Sequence, residues 1–553
     1  MTSFDRAAAL ERLRTETFDV VIIGGGITGC GVALDAALRG LRVALVEGED
    51  FAAGTSSKSS KLVHGGLRYL AQHDYRLVYE ALAERQRLVA NAPHLVRRLP
   101  FLIPLFGRNG VVAKSVAKAY SVALWSYDLT GGLRIGKRHE RVDAANALAH
   151  FPDLNAERLV AAFLYYDAQV DDARLTLAIA RSAANEGAVV VNYAPAQGLL
   201  PRDGALSGIR LADGTEIRAT VVVNAGGVFA DELARVVATE PVGIRPAKGV
   251  HFTVPAERLP CDYASVLSVP GDRRSVFVVP WPEGGFTYVG TTDTDYDGPL
   301  DTPRCTPEDL DYLLRAVNAW TTAKLTSDDV SGVWAGLRPL VRDDSNARSA
   351  DLSRRHKVTS SSSGVVTVTG GKLTTYRRMA ADTVDQVMTL LQHKPKATRR
   401  RTRRYRLWGA DGSDALAAPD APAQLGVAPA TLGHLRGRYG SEARALSAMI
   451  VATPELAEPL VPGLSYLRAE AVFAARYEMA CTLDDVLSRR TRAVILDARA
   501  TIAAAPDVAA LVAPELGWDD DEQHRQVAAF VAAAQADLDA AGLGSPATQS
   551  GTR

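Results

Sequence analysis

The sequence predicts an α/β fold led by a dinucleotide-binding domain, and three observations carry that expectation. Val20 to Ile23 is an apolar run that stops abruptly at glycines, as a buried strand does on entering a tight turn. Gly24, Gly26 and Gly29 then fall at G-x-G-x-x-G spacing, followed by a helical stretch from Cys30 to Arg39. A second apolar strand, Leu41 to Val46, ends at Glu47, roughly twenty residues past the glycines, where an acid holds a ribose hydroxyl.

Each residue of that turn has a physical task. Gly24 allows the turn, Gly26 lets backbone approach a pyrophosphate, and Gly29 lets helix and strand pack closely. Ile27 and Thr28 belong to the same turn as cofactor-binding candidates, and the free N–H groups and positive dipole end of the helix that follows face the diphosphate. Glu47 repels a 2′-phosphate, which favours FAD or NAD over NADP; the glycines alone do not choose between those two.

At 553 residues the chain is too long for one core, so two or three domains are expected. Its formal net charge is zero, which argues against recruitment of nucleic acid by a global field. Cys30, Cys261, Cys305 and Cys481 are scattered without a C-x-x-C pair. That spacing predicts no thiol redox centre, no metal site and no disulfide framework, as in a reducing cytosol. Met1 to Thr17 is charged and lacks a signal-peptide core, and no run approaches the roughly twenty apolar residues of a spanning helix. A cytoplasmic chain, or one lying on a membrane surface, is expected.

Further along, Arg76 to Asn91 reads as a helix, Pro93 to Pro104 as a break, and Leu102 to Phe106 as a short apolar piece. Asp171 and Asp172 precede a helix from Ala173 to Asn185 and read as N-cap residues. Val189 to Val191 and Thr220 to Val223 are apolar strands, the second running into Asn224, Ala225 and Gly226. Alternating stretches at Ser275 to Val279 and Phe286 to Val289 predict an antiparallel sheet. A last strand, Val365 to Thr369, enters Gly370 and Gly371 and then a helix through Met388. The expected organisation is a cofactor domain in three pieces, 1–75, 151–245 and 341–393, with a substrate domain from 76–150 and 246–340. A basic linker at 394–408, a helical domain at 409–541 and a frayed tail at 542–553 complete it. The basic run between Lys394 and Arg406 suits a solvated linker, a strand paired with acids, or contact with anionic lipid. Nucleic acid is not expected, because no aromatic residues interleave the charges.

Several stretches together resemble the FAD-dependent glycerol-3-phosphate dehydrogenases. They are GTSSKSSKLVHGGLRYL at 54–70, GTTD at 290–293, LRPL at 337–340, GGKLTTYR at 370–377, TLDD at 482–485 and RRTR at 489–492. They occur in order over nearly the whole chain. The resemblance implies a glycine- and D-amino-acid-oxidase-like FAD fold with a C-terminal helical domain. It also implies oxidation of sn-glycerol 3-phosphate to dihydroxyacetone phosphate, electrons leaving through FAD to a membrane quinone. A peripheral position on the inner face of the cell membrane follows from it, and a homodimer is left open. A glycerol-3-phosphate oxidase using oxygen, an FAD dehydrogenase of another 2-hydroxy or amino acid, and a flavin-bound adaptor remain as alternatives.

The residues make chemical sense beside that resemblance. A phosphate dianion calls for guanidinium donors, and Arg338 and Arg354 are the candidates. Arg68 and Tyr69 follow two glycines and reach inward, where a cation stabilises developing negative charge. His251 is the expected general base, since imidazole titrates near neutral pH; His64, beside Gly65 and Gly66, shapes the flavin loop. Thr55, Ser56, Ser60, Lys61 and Leu62 belong to that loop. Lys372, with Gly371, Leu373 and Thr374, faces the flavin edge where reduction places negative charge. Gly107 to His139 mixes aliphatic, aromatic and basic residues, as either a lipid- or quinone-facing surface or an ordinary substrate-domain helix.

Overall fold

The computed structural model describes residues 4–66, 74–107, 114–130, 136–202, 205–237, 239–272, 274–341, 356–361, 363–392 and 401–544. Two sheets organise it. In the first, strand order runs Lys357–Ser360, Val365–Thr369, Glu216–Asn224, Thr17–Ile23, Val43–Val46, Val189–Val191. Thr17–Ile23 lies parallel to both of its neighbours. Val20 and Ile22 enter one apolar core while Val21 and Ile23 enter another on the opposite face. This two-sided burial is why the strand carries no polar alternation.

Helix Ile27–Leu38 starts directly after Gly26 and takes in Gly29, three residues earlier than the sequence suggested. Eleven of its twelve residues are buried, because it is packed between helices Asp172–Asn185 and Tyr376–Leu390. A helix apolar on every face needs such cover.

The second sheet has the order Thr294–Asp295, Ile244–Pro255, Phe286–Gly290, Ser275–Pro280, Ala264–Ser268, Arg97–Phe106, Leu159–Gln169, Leu62–Val63. Gly332–Val341 pairs with Ile244–Pro255 as an additional branch. Most pairs are antiparallel; Ala264–Ser268 runs parallel to Arg97–Phe106. Arg97–Phe106 passes through Pro100 and Pro104 where a break was expected, its register with Leu159–Gln169 continuing across both. Leu159–Gln169 thus belongs to the second sheet although it lies past residue 150. Its sequence does not alternate because Phe163 and Tyr165 face one core and Ala162 and Leu164 another.

The C-terminal segment is helical, with Pro429–Tyr439, Ala443–Ala452, Arg468–Tyr477, Ala498–Leu516 and Asp520–Ala540 as its main helices. Val486, Leu487, Val508 and Phe530 share a core with Phe101, Tyr165 and Trp334 of the second sheet. Ion pairs bolt the same segment to the first sheet. Arg490 grips Asp50 through Nη1 (2.6 Å) and Nη2 (2.9 Å), and Arg489 Nε reaches the same carboxylate at 2.7 Å. Among the described residues no helix is long and apolar enough to cross a membrane.

Candidate active site

The C-terminal ends of the first sheet's parallel strands and one face of the second sheet enclose a cavity of about 530 Å³. Its wall brings together Gly24, Gly26, Ile27, Thr28 and Glu47 from the leading turn with His251, Arg338 and Lys372. That volume falls within the ordinary range of ligand and cofactor sites.

The leading turn has the features a diphosphate needs. Gly24 has φ +117°, and a β-carbon there would lie 2.7 Å from the Ala225 carbonyl oxygen. A β-carbon on Gly29 would lie 1.9 Å from the Gly24 carbonyl oxygen, so only glycine lets the helix approach. Gly26 offers no side-chain cap to the helix that follows, which leaves part of its N-terminal N–H array for a ligand. The Ile27 N–H donates to Ser56 Oγ at 2.9 Å. Glu47 accepts from the N–H groups of Gly25 (2.5 Å) and Glu49 (2.9 Å). Burial pushes its carboxyl above the usual range, and those two N–H bonds oppose the rise. This glycine floor, open helix end and cavity fit FAD.

Residues 54–61 lead from the first sheet into strand Leu62–Val63 of the second. Thr55 Oγ1 donates to the Leu337 carbonyl (2.6 Å), and Ser60 Oγ bonds to His251 Nε2 (2.8 Å). Leu62 and His64 line the cavity, and the His64 N–H donates to Thr374 Oγ1 at 3.3 Å. Gly65 sits behind the wall, its N–H donating to Tyr127 Oη (3.1 Å) and Asp167 Oδ1 (3.2 Å). Gly66 follows at φ +78°. Lys61 is turned away from the cavity into a buried pair with Asp172 at 3.1 Å. Arg68, Tyr69 and Arg354 lie outside the described residues.

Ala225 and Gly226 line the cavity. Asn224 instead shapes the turn beneath them, donating through Nδ2 to the Ala230 carbonyl and accepting from the Gly226 N–H. Gly371, Lys372, Leu373 and Thr374 contribute the wall next to the start of helix Tyr376–Leu390. Gly371 has φ +80°.

His251 and Arg338 come from paired strands of the second sheet. The His251 ring stacks on Trp334 with centroids 4.7 Å apart and an interplanar angle of 4°. A β-carbon on Gly290 would lie 1.9 Å from His251 Cδ2, so the neighbouring strand must be bare there. Burial first, then the charges of Lys61 and Arg338, hold the imidazole well below the usual histidine range. Arg338 is fixed by Asp293 Oδ1 (3.1 Å), Thr291 Oγ1 (3.2 Å) and the carbonyls of Thr292 (3.1 Å) and Lys248 (3.3 Å). It is therefore both salt-bridged and part of the cavity wall.

Three supporting residues had no assigned role from sequence reasoning, Trp334, Thr291 and Asp293, and a fourth, Asp172, was expected with Asp171 to cap a helix. Asp171 caps its helix, accepting from the N–H groups of Ala173 and Arg174. Asp172 points elsewhere, accepting from the Ser59 N–H (2.9 Å) and Ser59 Oγ (2.7 Å). The GTTD stretch at 290–293 was a usable signal for the Arg338 support; nothing local marked Trp334.

Comparison with known proteins agrees with this arrangement. The FAD dependent oxidoreductase family model matches residues 19–377, and the C-terminal domain of alpha-glycerophosphate oxidase matches 400–523. Glycerol-3-phosphate dehydrogenase 2 of Mycobacterium tuberculosis is 42% identical over 545 residues, spanning 96% of this chain and 91% of the relative. The mitochondrial glycerol-3-phosphate dehydrogenase of Mus musculus is 38% identical over 93% of this chain and 73% of its own length. The solved glycerol-3-phosphate dehydrogenase of Bacillus halodurans, complexed with FAD, superposes with a TM-score of 0.78 at 31% identity, covering 98% of this chain and 99% of that one. With the glycine turn, the two-sheet cavity and the C-terminal helices all accounted for, the chain belongs to the FAD-dependent oxidoreductases, in the glycerol-3-phosphate dehydrogenase family.

Proposed function

We propose that the protein oxidises sn-glycerol 3-phosphate to dihydroxyacetone phosphate and passes the two electrons through FAD to a membrane quinone. The observation that carries this reading is the meeting of His251, Arg338 and Lys372 on the wall of the cavity that the glycine turn opens into. FAD, when bound, supplies the acceptor for the hydride leaving C2. His251, directly or through a water it holds, takes the C2 hydroxyl proton, so that hydride and proton together leave the ketone. His251 Nε2 meets Ser60 Oγ, while Nδ1 is buried and no described residue hydrogen-bonds to it. Arg338, held in one orientation by four acceptors, is preorganised to receive the phosphate. Lys372 stabilises negative charge on the substrate or the reduced ring. In this reading Arg354 completes the phosphate end, and Arg68 and Tyr69 bind the substrate where negative charge develops.

The membrane part rests on a different feature. Val122, Trp125 and Leu129 lie at i, i+3 and i+7 of helix Lys114–Thr130 and are 58%, 45% and 77% exposed. Tyr75 and Tyr79 are exposed on the neighbouring helix Tyr75–Asn91. An apolar stripe of this kind suits peripheral contact with an anionic membrane on its cytoplasmic side. Leu129→Asp should then weaken cosedimentation with anionic vesicles; unchanged binding removes this helix from the contact.

Substrate choice is tested by dye-coupled turnover on sn-glycerol 3-phosphate, glycerol and a 2-hydroxy acid. The reading predicts kcat/KM for the phosphate ester at least about 100-fold above the others, the scale of a lost charge-assisted contact. Equal use of glycerol would refute phosphate recognition.

A further inference from the structure

One buried cation beside the histidine's stacking partner, Lys61, is unused by the chemistry above. Lys61 is buried, with Nζ donating to Asp172 Oδ1 (3.1 Å) and the Ser57 carbonyl (3.1 Å). It stands 4.9 Å from the centroid of Trp334, the indole on which His251 is stacked. The preceding residue, Ser60, makes the hydrogen bond to His251 Nε2. Lys61 also has φ +56°, a left-handed conformation that glycine or asparagine enters far more readily. Backbone geometry alone therefore gives no reason for a lysine here.

Its position is set from the far end of the chain. Arg492 Nη2 donates to the Ser57 carbonyl and lies 3.5 Å from Asp172 Oδ1, the two acceptors that also hold Lys61. Arg492 Nη1 is in turn fixed on the Ser488 carbonyl at 2.6 Å.

We propose that Lys61 is a positioning residue for proton abstraction. Its ammonium, fixed by Asp172 and the Ser57 carbonyl, the two acceptors that Arg492 of the C-terminal domain also engages, opposes a positive charge on His251 and keeps the Ser60 bond in place. Burial, then the Arg492 charge, brings Lys61 down to about 8, so it is cationic at neutral pH. The other groups facing the imidazole are Ser60 from the loop, Tyr288 from strand Phe286–Gly290, and Trp334 and Arg338 from strand Gly332–Val341. Asp172 and Asp293 bond to Lys61 and Arg338, and among the described residues no carboxylate hydrogen-bonds to the imidazole. An unprotonated imidazole can accept the substrate proton even in mildly acidic medium. The inference rests on the reading of His251 as proton acceptor.

The test separates the two. Full-length, FAD-loaded protein with ¹⁵N-labelled histidine is titrated by NMR, the His251 signal being identified by its loss in His251→Gln. Lys61→Met is expected to raise the His251 midpoint by at least about one pH unit, the scale of a removed like charge. Lys61→Arg, which keeps the charge, is expected to stay near wild type. The acid limb of flavin reduction by sn-glycerol 3-phosphate should move with that midpoint and vanish in His251→Gln. An unchanged midpoint in Lys61→Met overturns the proposal. A shifted midpoint with an acid limb that stays fixed and survives in His251→Gln keeps the Lys61–His251 coupling but overturns its role in proton abstraction, together with His251 as the base. If Lys61→Met loses FAD, Lys61→Gln, which removes the charge but keeps a donor for Asp172, is read by the same midpoint.

Discussion

In the proposed reaction Arg338 serves the substrate only because other residues have already fixed it. Its guanidinium is paired with Asp293 at 3.1 Å and is still 21% exposed toward the cavity. A lone flexible cation would lose side-chain entropy on gripping phosphate, whereas this one has been ordered by folding. Arg338→Ala is expected to raise KM for sn-glycerol 3-phosphate by about 10²-fold or more, with a smaller effect on kcat, as loss of a buried charge-assisted contact does. Steady-state kinetics with an artificial acceptor checks this; an unchanged KM takes Arg338 out of the clamp.

At the scale of elements, the strand–turn–helix unit from Thr17 to Leu38 is what the cofactor requires. Gly29→Ala would drive a β-carbon into the Gly24 carbonyl oxygen, and backbone has little room to yield. The variant is expected to fold but to lose bound FAD, seen as loss of flavin absorbance after gel filtration; full retention would contradict the account of the turn. This unit was legible in the sequence because its signals are local: four apolar residues, spaced glycines and an acid within one βαβ stretch. The strand Arg97–Phe106 was hidden by two prolines, and Leu159–Gln169 by burial on both faces. The GTTD stretch was in view, but which residues the site's supports hold was not, since Asp293 meets Arg338 across 45 residues and Asp172 meets Lys61 across 111. Such partners follow from sheet register, which no local pattern records.

For the whole molecule, buried charges join the helical C-terminal segment to both sheets, and they fix its response to acid. Burial disfavours the Asp50 carboxylate, but Arg490 and Arg489 outweigh it and hold the carboxyl at about 2. Glu470 is likewise held at about 2 against burial by His434 and Arg438. His94 is lowered to about 3, by burial and then by the charges of Arg174, Arg406 and Arg97. All three have depressed folded values, so in acid the unfolded chain binds their protons first. The stability they contribute is complete above an ordinary histidine or carboxylate pKa and is lost as pH falls through the folded one. His94 therefore withdraws stability from pH 6.5 down to about 3, at up to about 1.4 kcal/mol per pH unit. The carboxylates add to the loss from roughly pH 4 downward. Thermal melts should show Tm falling steadily below pH 6.5; a flat Tm from pH 7 to 5 would contradict this network. Arg490→Ala, which leaves Asp50 with Arg489 as its remaining cationic partner, should cost up to about 3 kcal/mol at neutral pH by denaturant titration.

The central claim is reached most directly by adding sn-glycerol 3-phosphate to the purified, FAD-loaded protein without oxygen, then readmitting air. The account predicts that the flavin bleaches and stays bleached in air until a quinone is supplied. Rapid recolouring with release of peroxide would make oxygen the acceptor, and a flavin that never bleaches would contradict the substrate itself.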